Sequence, residues 1–228
     1  MHIPDGLMAP AVVAVGWIIA LPVLVLVNRK LKGSVEEENI PLMGVLAAGI
    51  FVAQMINFPV GGGTTGHLVG ATLAAVLLGP LAGIVVITTI LIIQCLLFGD
   101  GGITALGLNI LNMSIIGALS GWYIYRWNPL KNLLKSERAR IFLASWSAVF
   151  LGSLACAIEL SLSYTLTGGD FGIKPSIAFP AMLGFHILIG IGEGVITTGV
   201  ISYLKQVSPE MLNMKKVGFG TNFKVVVE

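Results

Sequence analysis

Long apolar runs broken by short polar stretches dominate this chain. Leu7–Val27, Ile40–Gly66 and Leu68–Gly99 contain no charged side chain. None of these runs alternates polar with apolar residues, as the strands of a membrane barrel do. A hydrocarbon layer about 30 Å thick is crossed by roughly 20 apolar residues in a helix. Inside it, every peptide group must be hydrogen-bonded within the protein, which makes helices of such runs. The expected fold class is all-α, a polytopic membrane protein with about seven transmembrane helices. Spans are expected over residues 8–27, 40–58, 66–79, 81–98, 106–125, 141–166 and 181–204.

The separators carry turn chemistry or charge: Asn28 to Asn39, Pro59 to Gly63, Gly79-Pro80, Gly99 to Gly102, Arg126 to Arg140, and Thr167 to Pro180. The stretch 66–98 reads as one long helix or as a hairpin turning at Gly79-Pro80. Charge distribution favours the hairpin, because positive residues stay on the cytoplasmic side. With seven spans and the N-terminus outside, Arg29, Lys30, Lys32, Arg126, Lys131, Lys135, Arg138, Arg140, Lys205, Lys215, Lys216 and Lys224 all fall inside. Only Lys174 of the thirteen Lys and Arg residues falls outside. The first arm of the hairpin is short, so part of Gly61–Gly66 is expected to dip into the membrane as irregular backbone. Such backbone is tolerated there only when buried in protein or lining a cavity.

Composition agrees: 56% of the 228 residues are hydrophobic and 11% charged, against about 25% charged in soluble domains. One transmembrane domain over 1–228 is expected, with 205–228 as a cytoplasmic tail, in the cell membrane of a prokaryote. A net charge of +2 gives no reason to invoke nucleic acid. Cys95 and Cys156 lie in apolar segments without a CxxC pair, and read as small packing residues. The first run has no basic residues before it and has Arg29, Lys30 and Lys32 after it, the pattern of a retained first helix rather than a cleaved signal.

The candidate chemistry gathers at the expected outer face, where all three histidines, His2, His67 and His186, sit at or near span ends. A histidine second from a free amino terminus offers one metal three nitrogens: the Met1 amine, its own deprotonated amide and its imidazole. The chelate rings have five and six members. A tetragonal nitrogen set suits Ni(II) or Cu(II), and its fourth corner is open. His67, preceded by Gly61, Gly62, Gly63 and Gly66, is the natural candidate for that corner, because glycines let backbone approach closely. The bland alternatives are a loose terminal residue for His2 and an interfacial or hydrogen-bonding residue for His67. Asp100 reads most simply as a turn residue. Glu159 and Glu193 lie within spans, Glu193 two helical turns after His186. Intramembrane carboxylates are functional candidates or polar pairs holding helices together. Gly70 and Ala74, and Gly79 and Gly83, have the four-residue spacing of close helix packing. No phosphate loop, Ser-His-Asp set or HExxH motif is present, so no enzyme is indicated.

Several segments together resemble the CbiM/NikM family, the metal-binding S component of nickel and cobalt energy-coupling factor (ECF) transporters. They are Met1-His2-Ile3-Pro4-Asp5-Gly6, Gly61 to Gly70, Phe98 to Gly107 with Asn109, Asn112 and Met113, and Gly190-Ile191-Gly192-Glu193-Gly194. The resemblance implies an N-terminus tucked into the protein from outside, a C-terminus in the cytoplasm, and Met1, His2 and His67 as metal ligands. It also implies that Asn57 and Gln94 stand behind the ligands, and it gives no role to His186 or Glu193. No cofactor is implied; Ni(II) is the transported ligand, with Co(II) as the alternative. The Pro4-Asp5-Gly6 continuation resembles the nickel branch. Implied partners are the ECF transmembrane coupling subunit, two ATP-binding-cassette ATPases that hydrolyse the ATP, and a small additional membrane subunit, since some relatives carry a fused segment beyond this chain's end. Competing readings are a proton-coupled secondary transporter using Glu159 and Glu193, a zinc hydrolase built on His67, Asp100 and His186, and a vitamin-binding S component.

Overall fold

The computed structural model describes residues 1–35, 39–61, 63–212, 216–218 and 222–223. Gly62, Lys215 and Lys224, which the sequence reading used, lie outside the described residues. The first helix, α1 (Pro10–Leu31), starts with proline at its first position, where no N–H partner is needed. Then come α2 (Asn39–Met55), a hairpin of β1 (Phe58–Val60) and β2 (Thr64–Gly66), α3 (Ala71–Leu78) and α4 (Pro80–Ile93), which continues as a π-helical turn to Phe98. A second helical rod begins as α5 (Leu106–Asn109), passes through π-helical Ile110–Ile116 and ends as α6 (Gly117–Arg126). The short α7 (Asn128–Leu133) leads to the two longest helices, α8 (Glu137–Leu166) and α9 (Pro175–Val207), which pack along each other.

Four of these rods are long and apolar enough to cross a membrane: Pro10–Leu31, Pro80–Phe98, Glu137–Leu166 and Pro175–Val207. With the apolar α2, the rod from Leu106 to Arg126 and the short α3, they give the expected helical passes. The hairpin reading of 66–98 holds: Gly79 adopts φ 90° and Pro80 opens α4. Only a glycine takes that backbone without strain. The close-packing expectation holds at Gly83, where a Cβ would lie 3.0 Å from the Ala75 backbone.

Several boundaries differ from expectation. The last two long helices start earlier than residues 141 and 181, at Glu137 and Pro175. A helix can leave the membrane with charged residues on it, and Ser136 caps α8 by accepting from the Ala139 N–H at 3.4 Å. Pro180, expected in a loop, lies inside α9 within its second turn. Thr64–Gly66 of the glycine-rich segment is not irregular: it pairs antiparallel with Phe58–Val60, so the two strands bond each other's peptide groups. The tail forms a second small hairpin, Lys216–Val217 with Asn222–Phe223.

Side chains that face outward along the spans are apolar, among them Ile18, Leu21, Val45, Val52, Leu97, Leu162, Leu188 and Val195. This is the surface expected against lipid tails. The eight residues of α3 are all buried. At about 1.5 Å per residue that helix is too short to cross a bilayer alone, and the β1–β2 hairpin and residues 67–70 complete its pass.

Candidate metal centre

The first residues of the chain are sealed inside the protein. Met1, His2 and Ile3 are 1%, 2% and 0% exposed, and partners from distant segments hold them. The Met1 amine donates to the Thr65 carbonyl, and the His2 N–H donates to Thr65 Oγ1 at 3.2 Å. Ile3 is clamped on both sides: its N–H donates to Asn109 Oδ1 at 2.9 Å, and its carbonyl accepts from Asn109 Nδ2 at 3.1 Å. The Gly102 N–H also donates to the Ile3 carbonyl, at 2.9 Å. Asp5 accepts from the N–H groups of Ile103 and Thr104 at 2.9 and 2.8 Å and from the Thr104 hydroxyl. The Thr104 hydroxyl is the main cause that holds the Asp5 carboxyl below its ordinary range. Further on, the Ala9 N–H donates to Ser163 Oγ at 2.7 Å, and the Leu7 carbonyl accepts from Gly172 at 2.7 Å.

This lacing brings the expected ligands together. The Met1 nitrogen lies 3.1 Å from His67 Nε2. The rings of His2 and His67 have centroids 4.6 Å apart with a 30° tilt. His67 Nδ1 is 2.7 Å from the Leu68 carbonyl, which can only accept. Nδ1 therefore carries the proton, and Nε2 presents a lone pair toward the Met1 amine, the tautomer a metal ligand needs. Burial pushes the Met1 amine down to about 5 and holds the His2 imidazole well below its usual range. Both are neutral donors at pH 7.

His2 is oriented from behind. The atom that can close its six-membered chelate ring is Nδ1, and Nε2 is on the other side, buried and without a hydrogen-bond partner among the described residues. That nitrogen is 3.7 Å from Asp100 Oδ2, and Asp100 Oδ2 accepts from Asn57 Nδ2 at 2.7 Å. A carboxylate placed on the far nitrogen of a ligating imidazole is the usual support for such ligands. Asn57 thus bonds the carboxylate that lies nearest to this nitrogen. Gln94 touches this region through its backbone, whose carbonyl accepts from the Asp100 N–H at 3.1 Å. Its side-chain amide is buried with no hydrogen-bond partner among the described residues. Gly101, at φ 95°, leaves room for the His2 ring: a Cβ there would fall 3.0 Å from His2 Nδ1. Gly152 leaves room for the Met1 side chain, whose Cε would be 3.4 Å from a Cβ at that position.

Among the described residues no group of three or more His, Cys, Asp or Glu side chains could hold a metal ion. His186 does not join the pair by hydrogen bonding: its Nδ1 donates to the Met182 carbonyl of the preceding turn at 2.7 Å. The intramembrane carboxylates belong to separate networks. Glu159 accepts from Asn112 at 2.7 Å, and Glu193 accepts from the backbone of Val69 and Gly70. Asp5, Thr65 and Asn109 had no assigned role in the sequence reading. Their partners lie 98, 64 and 106 residues away; all three fall in the segments that carry the resemblance, but nothing local shows what each of them holds.

The chain is similar to proteins of known class. A family model described as the cobalt uptake substrate-specific transmembrane region, CbiM, matches residues 2–211. The chain is 40% identical over 215 residues to a putative fused nickel transport protein NikMN of Archaeoglobus fulgidus, a match covering 94% of this chain and 69% of that protein. The crystal structure of a truncated transition metal transporter superposes with a TM-score of 0.85 at 39% identity, covering 91% of this chain and 99% of that one. The S component of a bacterial ECF transporter shares the fold at a TM-score of 0.54 and 21% identity, over 75% of this chain and 96% of that one. A family of transport components leaves no place for the hydrolase reading. The chain belongs to the CbiM/NikM family, the multi-pass, substrate-specific membrane components of nickel and cobalt ECF transporters.

Proposed function

We propose that this protein captures Ni(II) from the outer face with four nitrogens: the Met1 amine, the His2 amide, His2 Nδ1 and His67 Nε2. The observation that carries the reading is the burial of an amino terminus with its nitrogen 3.1 Å from His67 Nε2 and the neighbouring His2 imidazole 4.6 Å from the same ring, centroid to centroid. Burying an amine away from water is costly unless it gains a partner. The Thr65 carbonyl satisfies one N–H of this amine, and a cation held by all four nitrogens would take up its lone pair. The planar nitrogen set with a deprotonated amide favours low-spin Ni(II), while raw affinity alone would favour copper, so selectivity comes from geometry. Cobalt is the second reading, because the matching family description names cobalt uptake. In transport, a coupling subunit and two ATPases would reorient the loaded protein to release the ion inside.

Titration of the purified protein with Ni(II), followed by visible absorption, tests the reading. The expected result is a yellow, diamagnetic complex at one metal per chain. A high-spin octahedral or tetrahedral spectrum contradicts it. The same titration with Co(II) decides between the two metals.

The proton balance gives a sharper prediction. Because burial brings the Met1 amine down to about 5, that amine is the neutral NH2 form at pH 7. An exposed terminus, with a pKa of about 7.7–8.0, would still be mostly protonated. The only proton left to displace is that of the His2 amide. Calorimetry in buffers of different ionisation enthalpy should therefore find about one proton released per nickel at pH 7, and affinity rising about tenfold per pH unit. As pH falls through the amine's pKa of about 5, the amine takes up a proton and the dependence steepens. Release of two protons at pH 7 would mean the terminus is solvated.

Gly101→Ala should weaken nickel binding by about 10–100-fold, the range for changes just outside a ligand set. The added methyl crowds His2 Nδ1 and Asn109 Nδ2, and the backbone there sits at φ 95°. Wild-type affinity in that variant would show that the His2 ring has slack the structure does not suggest.

A further inference from the structure

The carboxyl group of Glu193, 3% exposed on α9, takes no part in the ligand set described above. Its two oxygens accept from consecutive backbone groups: Oε2 from the Val69 N–H at 2.8 Å and Oε1 from the Gly70 N–H at 2.7 Å. Gly70 is the N-cap of α3, has a left-handed backbone at φ 73°, and brings no side-chain cap of its own. The first N–H groups of a helix lack partners within it, and in apolar surroundings each unmet group is expensive. Here the acceptor for this entry turn comes from another helix. From the opposite side, Gln54 Nε2 of α2 donates to the Val69 carbonyl at 2.7 Å. Val69 is thus gripped at both its N–H and its C=O.

That grip lies two residues from His67. The His67 ring is tied to the same segment, since Nδ1–H donates to the Leu68 carbonyl at 2.7 Å. Sliding is blocked as well: a Cβ on Gly70 would fall 2.6 Å from Ile50 Cγ2, so α2 already touches the backbone. With Leu68 holding the ring and Glu193 holding the next two residues, the position of Nε2 follows from the position of the carboxyl group.

We propose that Glu193 is the positioning residue for His67. It fixes the backbone of residues 67–70 so that Nε2 stands opposite the Met1 amine and closes the fourth side of the metal. The inference rests on the metal site proposed above and deepens it. It assigns Glu193 a task that does not involve proton translocation, and it makes α9 part of the apparatus that holds the ion.

The test is a double-mutant cycle read by nickel titration of the purified full chain, using wild type, Glu193→Gln, His67→Ala and the double variant. Glutamine matches the size of the side chain but offers one oxygen and one NH2 group to two donors, so one N–H loses its acceptor. Glu193→Gln should weaken binding by about 10–100-fold, and the visible band of its saturated complex should move toward that of His67→Ala. In the His67→Ala background the same change should cost less than about twofold, because the residue through which it acts is gone. Wild-type affinity with an unshifted band overturns the inference, and so does an equal loss in both backgrounds. Where Glu193→Gln does not fold, Glu193→Asp, one methylene shorter and unable to reach both N–H groups, is read by the same criteria. The two readings fail separately. If His67→Ala binds nickel as tightly as wild type, the metal site itself is wrong. If His67→Ala is weakened while the Glu193 variant is unaffected, only the positioning role falls.

Discussion

Inserting a single leucine between Met1 and His2 is expected to reduce nickel uptake by cells to the background of an empty vector. Every side chain of the native protein is retained, so the effect isolates the position of the amine. Two physical reasons add. The first is coordination: with one residue interposed, the terminus offers an amine, two amides and an imidazole, which fill a square plane and leave no corner for His67. The second is space. Met1 and Ile3 are 1% and 0% exposed, the amine is bonded to Thr65, and Ile3 is clamped by Asn109 at 2.9 and 3.1 Å, so the extra residue has nowhere to go. Leucine is preferred to a small residue, which would invite removal of the methionine and restore an amine one residue before His2. Uptake of radioactive nickel checks the prediction, with mass spectrometry confirming the terminus. Uptake at the wild-type level would contradict the three-plus-one nitrogen arrangement.

His67→Ala should have the next largest effect. Four-ligand metal sites in small domains contribute about 10–16 kcal/mol in apparent binding, so one ligand in four represents about 3 kcal/mol. That corresponds to about 100-fold or more in affinity. The remaining chelate keeps three nitrogens, so binding is weakened rather than lost, and water takes the vacant corner. The visible spectrum should change with it, because replacing an imidazole by water weakens the ligand field. Titration of the purified variant checks both expectations. An unchanged affinity would make His67 a structural residue whose Nδ1–H simply caps the Leu68 carbonyl.

Much of the architecture was legible before the structure because lipid imposes one dominant rule. Charge-free runs of helical length leave few alternatives, and the placement of Arg29, Lys30, Lys32 and the cluster from Arg126 to Arg140 was enough to select the hairpin at Gly79-Pro80. Helix ends were less legible. Glu137 and Pro175 extend their helices beyond the apolar runs, and hydropathy does not record where hydrogen bonding continues into polar surroundings. The β1–β2 hairpin was hidden because glycine-rich sequence permits both irregular and paired backbone. Pairing of Val60 with Thr64 is decided by the residues around it.

The candidate site divides in the same way. Met1, His2 and His67 stand out in the sequence because the chelating power of a terminal histidine pair is local chemistry, fixed by bond connectivity, and the structure brings the three together. The groups that hold them do not stand out. Asp5 acts on Ile103 and Thr104, Asn109 acts on Ile3, and Glu193 acts on Val69 and Gly70. Each of these pairs is about a hundred residues apart in sequence or more, and only the packed helices bring them into contact. The grouping of Asn57, Asp100 and His2 is of the same kind: a residue resembling a turn former comes to face an imidazole once the link between α2 and β1 meets the 99–102 loop.

The most direct measurement is anomalous diffraction at the nickel absorption edge from crystals of the nickel-loaded protein. The expected result is one strong peak enclosed by the Met1 nitrogen, the His2 amide nitrogen, His2 Nδ1 and His67 Nε2, with the four donors near one plane. A peak elsewhere in the protein, with the terminal amine still bonded only to Thr65, would contradict the account.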